Sequence, residues 1–128
     1  METLTTNGIK ISVETFYKQE YSSNSLKQFI HHYRITIEND SREAVQLLRR
    51  HWYIWDSKSG DREVEGPGVI GEQPIIYPGE SHQYISMCNL NSEVGRMHGT
   101  YLMQRQDNHE MFEVDIPVFK MVAPQKLN

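Results

Sequence analysis

Apolar and polar residues alternate with a period of two in one segment after another. No window of about 11 residues carries the three- and four-residue spacing of a helical stripe. Ile9, Ile11, Val13 and Thr15 alternate with Lys10, Ser12 and Glu14; Phe29, His31, Tyr33, Ile35 and Ile37 alternate with His32, Arg34, Thr36 and Glu38. Successive side chains of an extended chain point to opposite faces, so each such segment offers one face to a core. Residues 44–56 are substantial on both sides, with His51, Tyr53 and Trp55 opposed to Arg50, Trp52 and Ile54, as expected of a strand central to a sheet. Residues 62–65, 81–88, 96–106 and 110–122 complete the set. Pro117 places the last of these at an edge or a bulge, because proline cannot donate to a ladder on both sides. Turn formers separate the segments at Asn39-Asp40-Ser41, at 56–61, at Pro78-Gly79 and at Asp107-Asn108, while residues 18–27 make a polar loop. Seven or eight strands with frequent turns and no intervening helix predict an all-β fold. The expectation is an antiparallel β-sandwich of the immunoglobulin or fibronectin type III kind, with a small barrel as the alternative. A chain of 128 residues is expected to form one domain over 1–128.

Gly66, Gly68 and Gly71 spell G-x-G-x-x-G, but their setting contradicts the usual meaning of that pattern. A dinucleotide-binding loop ends a strand and opens a helix whose N-terminus carries the pyrophosphate. Here Gly71 is followed by Glu72, Gln73, Pro74, Ile75, Ile76, Tyr77, Pro78 and Gly79, and two prolines with a Pro-Gly turn leave no room for a helix. Two readings remain. One is a wide loop that needs glycine for its backbone geometry. The other is an anion nest of converging N–H groups, from which Pro67 removes one donor and to which Arg49, Arg50 and His51 add charge.

Thirteen basic and 17 acidic side chains give a formal net charge of −4 and a pI near 5.8, which opposes binding to nucleic acid and to anionic membranes. Apolar runs are far shorter than the ~20 residues of a bilayer span, and residues 1–8 lack the charged-then-apolar order of a signal sequence, so a cytoplasmic location is expected. The single cysteine, Cys88, excludes an internal disulfide. On one strand His82 would lie ~20 Å from it, which offers the thiol no base. His31 and His32 point to opposite faces, and His109-Glu110-Met111-Phe112-Glu113 lacks the second histidine of a zinc helix. His82 and His98 would need folding and a carboxylate to become ligands. No metal, cofactor or catalytic constellation is expected.

Several ordered motifs remain: Val45-Gln46-Leu47-Leu48-Arg49-Arg50-His51-Trp52, residues 63–74, Pro78-Gly79-Glu80, Tyr84, and Asp115-Ile116-Pro117-Val118-Phe119. Together they resemble the bacterial ApaG family from about Ile9 to Val122. The resemblance implies a fibronectin-like sandwich, links to cobalt and magnesium tolerance and to diadenosine tetraphosphate levels, and a domain shared with eukaryotic F-box and DNA-polymerase-delta-interacting proteins. The expectation is a non-enzymatic module that binds an unidentified protein partner. Its candidate binding residues are Gly66, Pro67, Gly68, Gly71, Arg49, Arg50, His51 and Trp52, and its strand edges allow homodimerisation. The alternative is a phosphate-containing small ligand, such as diadenosine tetraphosphate, at the glycine loop.

Overall fold

The computed structural model describes residues 1–124. They form nine strands: β1 (Glu2–Thr6), β2 (Ile9–Tyr17), β3 (Phe29–Asn39), β4 (Val45–Asp56), β5 (Gly60–Pro67), β6 (Ile75–Ile76), β7 (Ser81–Leu90), β8 (Val94–Arg105) and β9 (Met111–Val122). All pairings are antiparallel. One sheet runs β1-β2-β3-β7, and the other runs β5-β4-β8-β9 with β6 on the edge of β4.

The alternating segments therefore become strands of a sandwich, and nine replaces the expected seven or eight. The two extra strands, β1 and β6, are the two shortest. β1 has only Leu4, yet Asn7-Gly8 with φ of 51° and 80° is the left-handed pair of a two-residue hairpin turn, and it folds β1 onto β2. β6 is two residues long and pairs Ile76 with Val45. In the loop after β2, residues Gln19–Tyr21 take one 3-10 turn rather than a purely irregular path.

The inward rows meet as one core. Ile9, Ile11, Ile35 and Ile37 come from the first sheet, and Leu47, Met97, Tyr101 and Met103 come from the second. The two sheets lock where Tyr33 of the first meets Trp52 of the second edge to face at 5.4 Å and Phe119 of the second in a tilted contact at 5.8 Å. Pro117 lies on the edge strand β9 and at a bulge, where Gly99 pairs with Ile116 but Met97 with Phe119. One long side of the sandwich closes where β9 meets β1, helped by the Asp115 N–H donating to Thr6 Oγ1 at 3.2 Å. The opposite side, between the edge strands β5 and β7, stays open.

His31 on β3 is buried to 1% exposure, and its Nε2 has no hydrogen-bond partner among the described residues. Burial penalises the charged ring and lowers its pKa from 6.5 to about 4. A base depressed on folding leaves the native state with fewer bound protons than the unfolded chain between those two values. Its contribution is intact above about pH 6.5 and is lost as the pH falls toward 4. Thermal denaturation is expected to show a domain about 2 kcal/mol less stable at pH 4.5 than at pH 7 from this residue. His31→Leu should flatten that limb, and an unchanged pH dependence in the variant would refute the assignment.

Candidate functional site

β4 carries the site because it changes face once. Leu47 pairs with Met103 and Arg49 with Leu102, so Leu48 is an extra residue that bulges from the ladder. Before the bulge Val45 and Leu47 point inward; after it the inward residues are Arg50, Trp52, Ile54 and Asp56. The carbonyl that the bulge frees at Leu48 accepts from the Gly68 N–H at 2.8 Å and from Gln73 Nε2 at 3.0 Å. The glycine loop is thus hung on the bulge.

Arg50, turned inward, supports the loop from beneath. Its Nη1 donates to the carbonyls of Pro67 and Gly68, both at 3.0 Å. The guanidinium lies so close to Gly66 that a Cβ there would stand 3.3 Å from Nη1. Gly68 has φ of +60°, and a Cβ on it would meet the Glu72 carbonyl oxygen at 2.1 Å. Val69 and Glu72 close the loop by exchanging N–H···O bonds of 2.8 and 3.0 Å. The glycine motif thus serves a tight bend between extended segments. The N–H groups of Gly68, Val69 and Glu72 are committed to backbone carbonyls rather than converging on open space, and the loop turns carbonyls toward the arginine.

Beside this loop, at the open side of the sandwich, lies a cleft of about 370 Å³ walled by Tyr33, Arg50, Trp52, Tyr84 and Ser86, with Val69 and Ile70 at its rim. A second hollow of about 190 Å³ continues it along β5 and β7, sharing Tyr33, Arg50, Trp52 and Ser86 and adding Arg62 and Val64. Among the described residues, neither hollow has a carboxylate in its wall. Arg62 Nη2 crosses from β5 to β7, donating to the Asn89 carbonyl at 2.9 Å and touching Cys88 Sγ at 3.6 Å. The Tyr84 and Tyr101 hydroxyls bond each other at 2.5 Å beneath the cleft. Burial raises the pKa of Tyr33, Tyr84 and Tyr101 against the pull of Arg50, so all three remain neutral hydroxyls.

The rim holds an unusual residue. Ile70 has φ of 47° and is 61% exposed. A β-branched side chain in the left-handed region is strained by about 1–2 kcal/mol, and here no burial offsets the strain.

Of the eight residues singled out from sequence, Gly66, Pro67, Gly68, Gly71, Arg50 and Trp52 gather at this cleft. Trp52 is 2% exposed and serves as its floor. Arg49 and His51 lie on the other face of β4, beside a second shallow depression with Glu65 and Thr100 that Arg50 also lines. There His51 stacks on Tyr53 at 4.5 Å, Tyr53 stacks on His98 at 5.1 Å, and the His51 ring nitrogens meet Glu63 and Glu65 at 2.8 and 3.3 Å. Arg62, Tyr33, Tyr84 and Ile70 also line the cleft but are not among the eight candidate binding residues read from sequence. An apolar pair, Val69-Ile70, inside a glycine loop was the available signal for Ile70.

Cys88 is buried, and burial pushes its thiol up to about 11 although Arg62 pulls the other way. His31 stands directly across the ladder from it, a juxtaposition that spacing on one strand could not reveal. With His31 lowered and Cys88 raised, both are neutral, the reverse of an activated thiolate pair. His82 approaches Glu72 at 3.9 Å on one sheet while His98 belongs to the stack on the other. Among the described residues no three His, Cys, Asp or Glu side chains converge as metal ligands, and no helix is long and apolar enough to cross a membrane.

The model of the family described as the ApaG domain matches residues 19–105. Protein ApaG of Brucella anthropi is 46% identical over 121 residues, covering 94% of this chain and 92% of that protein. Protein ApaG of Brucella canis is 41% identical over 126 residues, covering 98% and 96%. The crystal structure of a Bordetella pertussis protein described as ApaA superposes with a TM-score of 0.87 at 37% identity, covering 91% of this chain and 94% of that one.

Proposed function

The chain belongs to the ApaG family, and from that premise we propose that it is a non-enzymatic, cytoplasmic binding module that engages a protein partner at the cleft between β5 and β7. The observation that carries this reading is Ile70, an apolar β-branched residue held in a strained backbone conformation and exposed at the rim of a concave surface. Folding alone gains nothing from that arrangement, whereas an apolar anchor presented to a partner is a common use of such strain. Trp52 and Tyr33 beneath it give the cleft a rigid aromatic floor. The cobalt and magnesium tolerance implied by the resemblance would then act through the partner.

The test separates binding from folding. Ile70→Asn places a residue that tolerates left-handed φ at the site, so stability should rise by about 1 kcal/mol, a Tm gain of about 4 °C. The same variant should lose the partner that immobilised wild-type protein captures from lysate. Partner retention at the wild-type level by a folded Ile70→Asn protein would refute the reading.

A second reading, a phosphate-containing small ligand such as diadenosine tetraphosphate, draws on Arg50 and Arg62 in a wall without carboxylates. It must take phosphate through side chains, because the Gly68, Val69 and Glu72 amides are engaged. Pyrophosphate at millimolar concentration should then shift Arg50 and Arg62 side-chain resonances, and silence there removes it.

A further inference from the structure

Resting on the binding-module reading, we propose that the free edge of β5 docks an extended partner strand whose inward side chains run acidic, apolar, acidic at alternate positions and whose outward side chains are basic. β5 is an edge strand, paired among the described residues only with β4. Its even-numbered positions face the cleft. Arg62 reaches across to Asn89, and Val64, 39% exposed, lines the same hollow. At Gly66 there is no side chain, and the Arg50 guanidinium lies directly against the backbone. Both of Arg50's hydrogen bonds leave from Nη1, so Nε and Nη2 have no protein acceptor among the described residues. Along this face β5 therefore presents positive, apolar, positive at 62, 64 and 66, the two charges about 13 Å apart along the strand. The odd-numbered face is the reverse. Asp61, Glu63 and Glu65 are all exposed, and only the last two share a partner, His51.

A strand added to a sheet edge places its side chains opposite those of the edge strand, face by face, with Cβ atoms about 5 Å apart. Carboxylates at positions i and i+4 then meet Arg62 and Arg50, an apolar residue at i+2 covers Val64, and basic residues at i+1 and i+3 meet the row of acids. The same pattern rejects a second copy of β5. Self-pairing would set Asp61, Glu63 and Glu65 against the same acids, and like charges directly opposite are destabilising. It also fits a contiguous polyphosphate poorly, since an apolar residue separates the two cations.

Two peptides of identical composition decide the matter: one with the central run Glu-Lys-Val-Lys-Glu, the other with Lys-Glu-Val-Glu-Lys, each flanked by threonines. Amide resonances of β5 in the full chain are followed during titration. The first peptide should bind at least tenfold more tightly. That preference should collapse in Arg62→Gln and fall severalfold in Glu63→Lys, whose exposed position leaves folding intact. Equal affinities, no shift from either peptide at ~1 mM, or a preference unchanged in both variants overturns the proposal. So does pyrophosphate that shifts the same amides more strongly than the first peptide. If the peptides fail while partner capture still depends on Ile70, the binding module stands without this partner chemistry; if both fail, the module falls as well.

Discussion

Gly99→Ala is expected to lower stability by at least about 3 kcal/mol, a drop in Tm of about 12 °C, or to prevent folding. Gly99 sits inward on β8 at its pairing with Trp52 of β4, the central contact of the five-stranded sheet. A Cβ there would stand 2.1 Å from the His51 carbonyl oxygen and 3.2 Å from Trp52 Cα. Both obstacles are backbone, so no side-chain rotation relieves the clash, and the strands must separate or slip. The bulge on β9 lies opposite the same region, which leaves β8 little support on its other side. Because Trp52 is the cleft floor, the variant should also weaken partner binding. Differential scanning calorimetry checks the first effect, and a Tm within about 3 °C of wild type would show that β4 and β8 are not pressed together at this point.

Asp56→Ala is expected to cost about 3 kcal/mol. Asp56 ends β4 with 2% exposure, and its carboxylate gathers the far end of the sandwich. Oδ1 accepts from the Lys58 N–H at 2.9 Å, the Ser59 N–H at 3.3 Å and Ser92 Oγ at 2.7 Å, while Oδ2 accepts from the Asn91 N–H at 2.6 Å. Burial raises the pKa of the group, but the bonds from Asn91, Lys58, Ser92 and Ser59 together outweigh it and hold the carboxyl below its ordinary value. Truncation would leave donors from two loops without their shared acceptor, and hydrogen bonds to a charged acceptor are the stronger kind. Asp56→Asn should fall between wild type and alanine, since it keeps the shape but turns an NH2 group toward N–H donors. An acid carboxyl depressed on folding contributes stability that is present above its unfolded pKa and lost below about pH 4 as the folded group protonates. This window lies beneath the one expected from His31, so the two residues predict separable acid limbs. An alanine variant as stable as wild type would sink the assignment. The same knot fixes the β5 hairpin against the turn after β7, next to the Asn89 carbonyl that receives Arg62, so Asp56→Ala should also loosen the lower end of the cleft.

Two kinds of information shaped what could be foreseen. Ile9 to Val13, Phe29 to Ile37 and Tyr84 to Cys88 announced their buried rows because strand periodicity is local: each side chain's face follows from its neighbour's. The two-faced character of Arg50 to Trp55 marked β4 as central, and Pro117 marked β9 as an edge or a bulge, of which the strand has both. β1 was overlooked because its alternation is almost wholly polar, although Asn7-Gly8 carried the hairpin signal. Arg49 and His51 were grouped with Arg50 and Trp52 because they are adjacent in the chain, yet adjacent residues on a strand face opposite ways.

From its residues alone this chain determined an all-β sandwich, the centrality of β4, and the fact that Gly66 to Gly71 bends extended chain rather than opening a helix. Each of these follows from interactions among near neighbours: pleat alternation, proline's missing donor and glycine's backbone freedom. Tertiary structure alone decided which edges were left open, that Arg50 and Arg62 share one cleft although β4 and β5 bring them from different strands, that Gly99 is packed as closely as Gly68 of the glycine loop, and that Asp56 ties two loops together. Those outcomes depend on which strand pairs with which and where a single bulge reverses the faces. They are set by summed contacts between segments far apart in sequence, which no local pattern encodes.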